Sequence, residues 1–407
     1  MGPSLFVKTW SLVFVIRAII LCCSISKSVQ CQLTSAETTA QTPAQTPTPT
    51  PTPAYTPAET PLPQPSPTPA VPAFFIFGDS LVDVGNNNYI GSLARANFPP
   101  NGIDFPGGVA TGRFCNGKLV MDFISEILDL PHPPPFMAPT TTGTNLTQGV
   151  NYGSAAGGIL DSTGSLYLER IGMNQQIRNF EINLLELYFM KGVPAVNQML
   201  QESLYAVVIG GNDYINNYLQ SIDSPTANLY TPEGYQQYLL STFSGQLTYL
   251  YNLGARKIVV SSVGPLGCIP DQISRVSTDV LGKCLPNINA LAINFNTGLR
   301  SLIDTLNSQL SGARFIYFDV FDITVSLIND PIAQGFTVGN VGCCGLGRFN
   351  GQFPCLPVSD LCTARSTYVF WDPYHPTEAA NTLLAARLWS GGPNDTYPVN
   401  LQQLISQ

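Results

Sequence analysis

Four short runs of this sequence are apolar at nearly every position rather than at every second position. They are residues 73–77 (AFFIF), 205–209 (YAVVI), 257–260 (KIVV) and 315–318 (FIYF). Strands have this composition when both faces of a parallel sheet are covered. Longer stretches with helical patterning separate the runs, at residues 117–128, 171–190, 232–253, 286–310 and 376–390. Strands that alternate with helices predict an α/β fold, with a central parallel sheet sandwiched between helices.

The N-terminal part of the chain has a different composition. Lys8 precedes an apolar run that small residues follow, which predicts a secretory signal peptide at residues 1–31. Arg17 interrupts that run and so also disfavours a transmembrane anchor. Residues 32–72 are rich in Pro and Thr and predict a disordered, extended arm, acting either as a plain spacer or as a glycosylated or cell-wall-binding tail. The composition is globular from residue 73, so we predict one domain over residues 73–407.

The charge balance narrows the class of partner. The chain has a net charge of −8, and only 11% of its residues are charged. The sequence has no basic patch, which argues against nucleic acid or an anionic membrane surface as partner. No segment after the signal is apolar for about 20 residues, so we expect no stable membrane insertion and a soluble mature protein. Sequons at Asn145 and Asn394 predict glycosylation, which requires secretion.

Seven cysteines lie outside the predicted signal segment, at positions 115, 268, 284, 343, 344, 355 and 362. Secretion favours disulfides, and an odd number leaves one thiol unpaired. Cys115 is our candidate because it is far in sequence from the others. A zinc site in the cluster at residues 343–362 is the alternative. It is disfavoured because Cys343 and Cys344 are adjacent and both histidines lie elsewhere.

Two of the predicted strands end in similar polar residues. Gly78, Asp79 and Ser80 follow the first, and residues 210–213 (GGND) follow the second. Ligands bind beyond the carboxyl ends of the strands in open α/β sheets, so the two ends could face one crevice. Ser80 is therefore either an ordinary turn residue or a nucleophile held at the end of a strand.

A serine nucleophile needs a base, and the chain has only two histidines. His132 lies in a proline-rich loop, at residues 130–135. His375 follows Asp372 by three residues and precedes Pro376, which can open a helix. If the loop turns, the carboxylate can orient the imidazole and leave Nε2 free to accept a proton. The alternative for His375 is a loop residue that caps a helix.

An oxyanion hole needs N–H donors that point at the developing negative charge. The side-chain amide of Asn212 and the backbone N–H of Ser80 are candidates. The glycine-rich residues 151–158 (NYGSAAGG) could supply another donor from a tight turn. The alternatives are an N-cap for Asn212 and ordinary turns for the glycines. The chain has no G-x-S-x-G elbow and no P-loop.

These residues belong to seven segments that together resemble the plant GDSL-type esterases/lipases of the SGNH hydrolase superfamily. The segments follow the family's order from residue 74 to about residue 390. The proline-rich arm is similar to that of anther-type members. The segments are FIFGDSLVDVGNNN, TGRFCNGK, VNYGSAAGGIL, VVIGGNDYINNY, YNLGARKIVVSSVGPLGCIP, VGCCGLG and FWDPYHPTEAAN.

The resemblance implies a three-layer α/β/α fold with Ser80 as nucleophile, His375 as general base and acid, and Asp372 as its orienting partner. It also implies an oxyanion hole formed by Ser80, Gly157 and Asn212. Family members often have glycine where this chain has Ala156, so the backbone donor is either Ala156 or Gly157. Cys115 stands where the family often has serine, which supports a free thiol. We also expect Cys268 to pair with Cys284, and the cluster at residues 343–362 to pair internally.

The resulting hypothesis is a secreted serine esterase or lipase of the cell wall and extracellular space. It hydrolyses small-molecule or lipid esters through an acyl-enzyme and needs no cofactor or metal. One alternative is an acyltransferase that uses the same intermediate. The other is a non-catalytic, proline-rich wall protein, which the presence of every triad member disfavours. Because imidazole protonates at about pH 6 to 7, a histidine base predicts that activity falls as the pH drops through that range.

Overall fold

The computed structural model describes residues 70–220 and 225–406. The predicted signal segment lies outside these residues, and so does the predicted arm up to residue 69. The described residues contain nine strands: β1 (Phe74–Gly78), β2 (Leu204–Val208), β3 (Lys257–Ser261), β4 (Arg314–Phe318), β5 (Val338–Gly342), β6 (Cys344–Gly345), β7 (Asp360–Leu361), β8 (Tyr368–Phe370) and β9 (Thr396–Tyr397).

Helices of varied length connect the strands. The α-helices of the described residues are α1 (Val120–Ile127), α2 (Met173–Lys191), α3 (Val193–Glu202), α4 (Gly211–Asp213), α5 (Pro225–Leu229), α6 (Pro232–Asn252), α7 (Pro270–Val276), α8 (Pro286–Gln309), α9 (Val320–Asn329), α10 (Glu378–Ser390) and α11 (Leu401–Ile405). Tyr214–Tyr218 forms a π-helical turn. Short 3₁₀ turns lie at Asn86–Tyr89, Gly143–Leu146, Ser165–Tyr167, Leu266–Cys268, Ile332–Gln334, Arg348–Asn350 and Arg365–Thr367.

The main sheet has the strand order β1-β2-β3-β4-β9. Its first four strands are parallel, with Phe75 opposite Tyr205 and Val259 opposite Ile316. All four predicted strands therefore form within one residue of their expected bounds, and the prediction of a central parallel sheet is confirmed. The fifth strand, β9, is an addition to the predicted parallel sheet and pairs antiparallel with β4. Two residues are too short for an alternation pattern to reveal.

Alternate residues of each strand enter two separate cores, which explains the continuously apolar runs. Phe75 and Phe77 of β1 pack on one face against α2, α6 and α8. Phe74 and Ile76 point to the other face and pack against α1, α10 and α11. The fold is therefore a three-layer α/β/α sandwich, as expected.

An extended segment lies along the outer edge of β1. Phe74 N–H donates to Gln148 O (3.0 Å), and Ile76 N–H donates to Val150 O (3.1 Å). Tyr152 N–H returns a bond of 2.7 Å to Ile76 O. Because the segment runs parallel to β1, the glycine-rich residues that follow it emerge at the same edge of the sheet as Ser80.

Three disulfides tie down the C-terminal half of the chain. They join Cys268 to Cys284, Cys343 to Cys362 and Cys344 to Cys355. Cys115 is a buried free thiol. The expected pairings are confirmed, and all four cysteines of the 343–362 cluster are used, which excludes the zinc alternative. In the part of the chain that is described, no helix is long and apolar enough to cross a membrane.

Candidate active site

Close packing of β1 against β2 sets the position of Ser80. A side chain at Gly78 would place its Cβ 2.2 Å from Val208 O, and Gly78 has φ of +154°. Only glycine fits this approach. Asp79 N–H then donates to Val208 O (3.1 Å), which turns the chain across the end of β2. Ser80 follows directly and lies partly exposed in a cleft at the carboxyl edge of the sheet.

Ser80, His375 and Asp372 form one continuous hydrogen-bonded chain. His375 Nε2 lies 2.8 Å from Ser80 Oγ, and His375 Nδ1 lies 2.8 Å from both carboxylate oxygens of Asp372. Asp372 and His375 are only 4% and 6% exposed. Since the buried carboxylate accepts from Nδ1–H, we assign the tautomer in which Nε2 accepts the hydroxyl proton. The structure therefore brings together the three residues predicted for the triad.

The loop that carries His375 turns because Asp372 binds its backbone. Asp372 Oδ1 accepts the N–H groups of Tyr374 and His375, each at 2.8 Å. The carbonyl of His375 accepts Trp371 N–H at 2.8 Å. Helix α10 begins at Glu378 with Thr377 as its N-cap. The prediction that a helix opens at Pro376 is therefore wrong by two residues, because the Thr377 hydroxyl provides the cap.

Phe114 holds the imidazole from a second side. Its ring centroid lies 5.0 Å from that of His375. Phe114 was not among the predicted site residues, although it lies in the segment TGRFCNGK. An aromatic residue in a turn carries no pattern of its own, so only the three-dimensional arrangement identifies it.

Asn212 faces the site from the end of β2. Its Nδ2 donates to Gly157 O (3.0 Å), and its Oδ1 accepts Asn216 Nδ2 (2.7 Å). These contacts hold the amide with one Nδ2 hydrogen left over for a ligand. Asn212, Ala156 and Ser80 line the same cavity.

Gly157 and Ala156 differ in their backbone contacts. Gly157 N–H donates to Ser154 O (3.0 Å), so this group closes a turn. Among the described residues, the N–H groups of Ala156 and Ser80 have no hydrogen-bond acceptor. Ala156 has a left-handed φ of 64°. The structure thus places the carbonyl of Gly157 at the site, as a support for Asn212, and leaves the Ala156 N–H as the available donor.

Two buried carboxylates fix the ends of the glycine-rich segment. Asp83 Oδ2 accepts Ala155 N–H (2.9 Å), while its Oδ1 accepts the N–H groups of Gly85 and Asn86. Asp213 accepts Ile159 N–H (2.9 Å) and Leu160 N–H (3.0 Å). Burial raises the pKa of each carboxyl to about 6. Each lies five residues beyond the end of a strand, Asp83 after β1 and Asp213 after β2, and nothing in the sequence indicates this supporting role.

Asp79, next to the candidate nucleophile, has a strongly perturbed carboxyl group. Burial raises its pKa from 3.8 to about 7. The group accepts Leu81 N–H (3.0 Å) and so shapes the turn.

The raised pKa of Asp79 predicts a pH-dependent contribution to stability. The folded chain binds this proton more tightly than the unfolded chain. The contribution is therefore present below about pH 4 and is lost as the pH rises through 7. Asparagine cannot ionise, so the stability of Asp79→Asn lacks this loss. We therefore expect the free energy of unfolding of the variant minus that of wild type to increase by on the order of 2 kcal/mol as the pH rises from about 5 to about 8. Urea unfolding of both proteins measures this difference. A difference that does not change with pH would contradict it.

The other predicted residues lie outside the cleft. His132 Nε2 contacts Glu126 Oε1 (3.1 Å), and Nδ1 lies 3.6 Å from Asp122. Neither ring nitrogen takes part in the Ser80 arrangement. Asn145 and Asn394 are exposed, so both sequons remain candidates for glycosylation. Among the described residues no group of three or more side chains is placed to hold a metal ion.

A cavity of about 420 Å³ lies against Ser80 and His375. Its wall is mainly apolar, and it falls in the size range of small-molecule sites. The disulfide Cys344–Cys355 fixes one part of the wall, because Pro354 and Leu356 flank Cys355. Other apolar wall residues include Phe114, Ile215, Leu266, Ile269 and Leu327.

Comparison with known proteins finds one matching family model and several similar plant proteins. Residues 74–388 match the family model described as GDSL-like Lipase/Acylhydrolase. GDSL esterase/lipase 7 of Arabidopsis thaliana is 47% identical over 335 residues, which cover 82% of this chain and 92% of that protein. A second GDSL esterase/lipase of the same plant is 46% identical over 336 residues, which cover 82% of this chain and 87% of that protein. A third is 46% identical over 334 residues, which cover 82% of this chain and 89% of that protein.

Proposed function

Since the chain belongs to the GDSL-like lipase/acylhydrolase family and is a hydrolase that acts on esters, we propose that it is a secreted serine esterase with Ser80, His375 and Asp372 as its catalytic residues. One observation carries the proposal. The unbroken chain from Asp372 through His375 to Ser80 Oγ ends in an apolar cavity large enough for an acyl or alcohol group.

The geometry supports a two-stage mechanism. Ser80 Oγ attacks the ester carbonyl while His375 Nε2 takes its proton, and Asp372 stabilises the resulting imidazolium. His375 then returns the proton to the departing alcohol as the tetrahedral intermediate collapses to an acyl-enzyme. Water, activated by the same Nε2, releases the acid in the second stage.

The oxyanion of each tetrahedral intermediate lies against three donors in this proposal. They are the free Nδ2 hydrogen of Asn212 and the backbone N–H groups of Ser80 and Ala156. Asp83 and Asp213 fix the loop that carries Ala156, so its N–H is positioned before the reaction begins. Donors that need no reorganisation are the effective ones.

Removal of the Asn212 amide gives a test of this oxyanion hole. Asn212→Ala is expected to lower kcat by about 10²- to 10³-fold, with a much smaller change in KM, because the donor acts on charge that develops in the transition state. Asn216→Ala is the matched comparison. Asn216 also lines the cavity, but its Nδ2 donates to Asn212 Oδ1, so its amide supports the proposed donor and we expect a loss of about tenfold or less. Steady-state kinetics on an aryl ester measures both, and equal losses would contradict the assignment.

The disulfides of the chain support a proposal about where the protein is located. Three disulfides are typical of proteins made in an oxidising compartment. We propose that the signal segment directs secretion, that Asn145 and Asn394 carry glycans, and that the arm at residues 32–72 associates with the cell wall.

Product analysis distinguishes hydrolysis from acyl transfer. The purified protein is incubated with an aryl ester in the presence of a primary alcohol. We expect free acid as the main product, since water can reach the partly exposed Ser80. Predominant formation of the new ester would instead show a transferase.

A further inference from the structure

One arginine in the wall of the catalytic cavity has no acidic partner in the described part of the chain. Arg95 lines the same cavity as Ser80, Asn212 and His375. Among the described residues, no carboxylate lies within salt-bridge distance of its guanidinium, whereas Arg275 in the same wall pairs with Asp271 at 2.5 Å. The positive charge of Arg95 is therefore the one in this wall that no described acidic group neutralises.

The hydrogen bonds of Arg95 are also incomplete. Its Nη2 donates to Ile90 O, which ties the side chain to its own loop. Its Nε is buried and has no hydrogen-bond partner among the described residues. A buried donor without a partner costs free energy, and a charged one costs more. At the outer end of the guanidinium, Nη2 is the only atom with an acceptor among the described residues, so a carboxylate in the cavity would supply acceptors to the remaining N–H groups of the Nη atoms.

The loop that carries Arg95 is fixed to the oxyanion side of the site. Asn87 is almost fully buried, and its Nδ2 donates to both Ala94 O (2.9 Å) and Ala155 O (3.0 Å). Ala155 precedes the proposed donor Ala156. A second link joins Leu93 N–H to Tyr167 O at 2.9 Å. Arg95 therefore belongs to a fixed wall of the catalytic cavity and not to a separate surface.

We propose that Arg95 binds a carboxylate on the substrate, so that the preferred esters carry one anionic group in addition to the ester bond that Ser80 attacks. This inference rests on the proposed function and specifies its substrate class. A carboxylate suits the site because a planar guanidinium binds it through charge-assisted hydrogen bonds, and one cation matches one negative charge. The rest of the wall is mainly apolar and suits the hydrocarbon part of such an ester.

Two pairs of esters test the proposal and separate the acyl side from the alcohol side. The first pair is 4-nitrophenyl hydrogen adipate and its methyl ester. The second is 4-carboxyphenyl acetate and its methyl ester. In each pair only the anionic group differs, and the readout is the ratio of kcat/KM for the charged ester to that for the neutral ester.

We expect Arg95→Gln to lower this ratio by about 10- to 100-fold in at least one pair, which is the effect of a charge-assisted hydrogen bond. Arg95→Met, which keeps much of the apolar stem, is made in parallel in case one variant does not fold. Arg178→Gln is the matched control. It removes an exposed arginine of α2 that does not line the cavity, and should leave the ratio within about twofold of wild type. A ratio that is unchanged by both Arg95 variants, in both pairs, would overturn the proposal.

A binding measurement separates failure of this proposal from failure of the catalytic one. If wild type hydrolyses none of these esters, the proposed function fails, and calorimetry then decides the role of Arg95. The two charged esters are titrated into Ser80→Ala and into Ser80→Ala/Arg95→Gln. A Kd raised by about tenfold or more in the double variant, for at least one ester, supports the carboxylate site. Equal affinity for both esters in the two variants would overturn it.

Discussion

Replacement of Ser80 by alanine is expected to lower kcat/KM for an aryl ester by about 10⁴-fold or more, because it removes the only atom that we propose forms the covalent bond to the acyl group. The change deletes a single oxygen from a partly exposed residue, so the stability of the folded chain should change little. Burst-phase release of the phenol, which reports formation of the acyl-enzyme, should disappear together with turnover.

A buried serine outside the cavity supplies the control. Ser261 ends β3, is buried, and does not line the cavity. Ser261→Ala also removes one serine hydroxyl oxygen, but at a position away from the cavity, so kcat/KM should stay within about tenfold of wild type. If Ser80→Ala kept most of the activity, another group would be the nucleophile and the proposed mechanism would be wrong.

Asp372→Asn is expected to lower kcat by about 10⁴-fold while leaving the fold intact. The carboxylate accepts from His375 Nδ1 at 2.8 Å and so holds the proton on that nitrogen. An asparagine amide can instead donate to Nδ1, which favours the tautomer with the proton on Nε2. That tautomer cannot accept the proton of Ser80, so the nucleophile would lose its base. Single-turnover kinetics of both proteins would measure the loss at the acylation step.

Asp79→Asn is the comparison for this second prediction. Asp79 also lines the cavity and is buried, but its pKa of about 7 means that the carboxyl is partly neutral at neutral pH. An amide therefore replaces it with a smaller change in charge, and we expect kcat to fall by about tenfold at most. Similar losses in the two variants would indicate that general damage to the cleft, and not the tautomer of His375, causes the effect.

The central layers of the fold could be predicted because burial on both faces leaves a strong signal. Runs such as YAVVI are apolar at every position, and the strand formed there begins one residue before its predicted start. The antiparallel edge strand Thr396–Tyr397 left no such signal, since two residues show no period. The start of α10 also differed, because the hydroxyl of Thr377 caps the helix after the position that Pro376 suggested.

The candidate triad could be predicted because few residues were available for it. The chain has only two histidines, and the resemblance of the segment FWDPYHPTEAAN to the family implied His375 with Asp372. The structure places that pair beside Ser80. The choice between Ala156 and Gly157 needed the backbone. Only coordinates show that Gly157 N–H closes a turn while that of Ala156 stays available.

Residues whose role depends on contacts across the chain could not be predicted. Asp83 and Asp213 have no distinguishing pattern around them in the sequence, yet they bind the glycine-rich segment more than 50 positions away in each case. Arg95 likewise has no distinguishing neighbour in the sequence. Its proposed role follows from the absence of an acidic partner among the described residues of the cavity wall, which is a property of the folded chain.

Covalent labelling tests the central claim most directly. The purified chain and its Ser80→Ala variant are treated with a fluorophosphonate probe, which reacts with an activated serine, and the modified peptide is identified by mass spectrometry. We predict that wild type is labelled on Ser80 alone, that the variant is not labelled, and that loss of activity follows labelling. A folded wild-type protein that is not labelled, or is labelled equally in the variant, would contradict the assignment of Ser80 as the nucleophile.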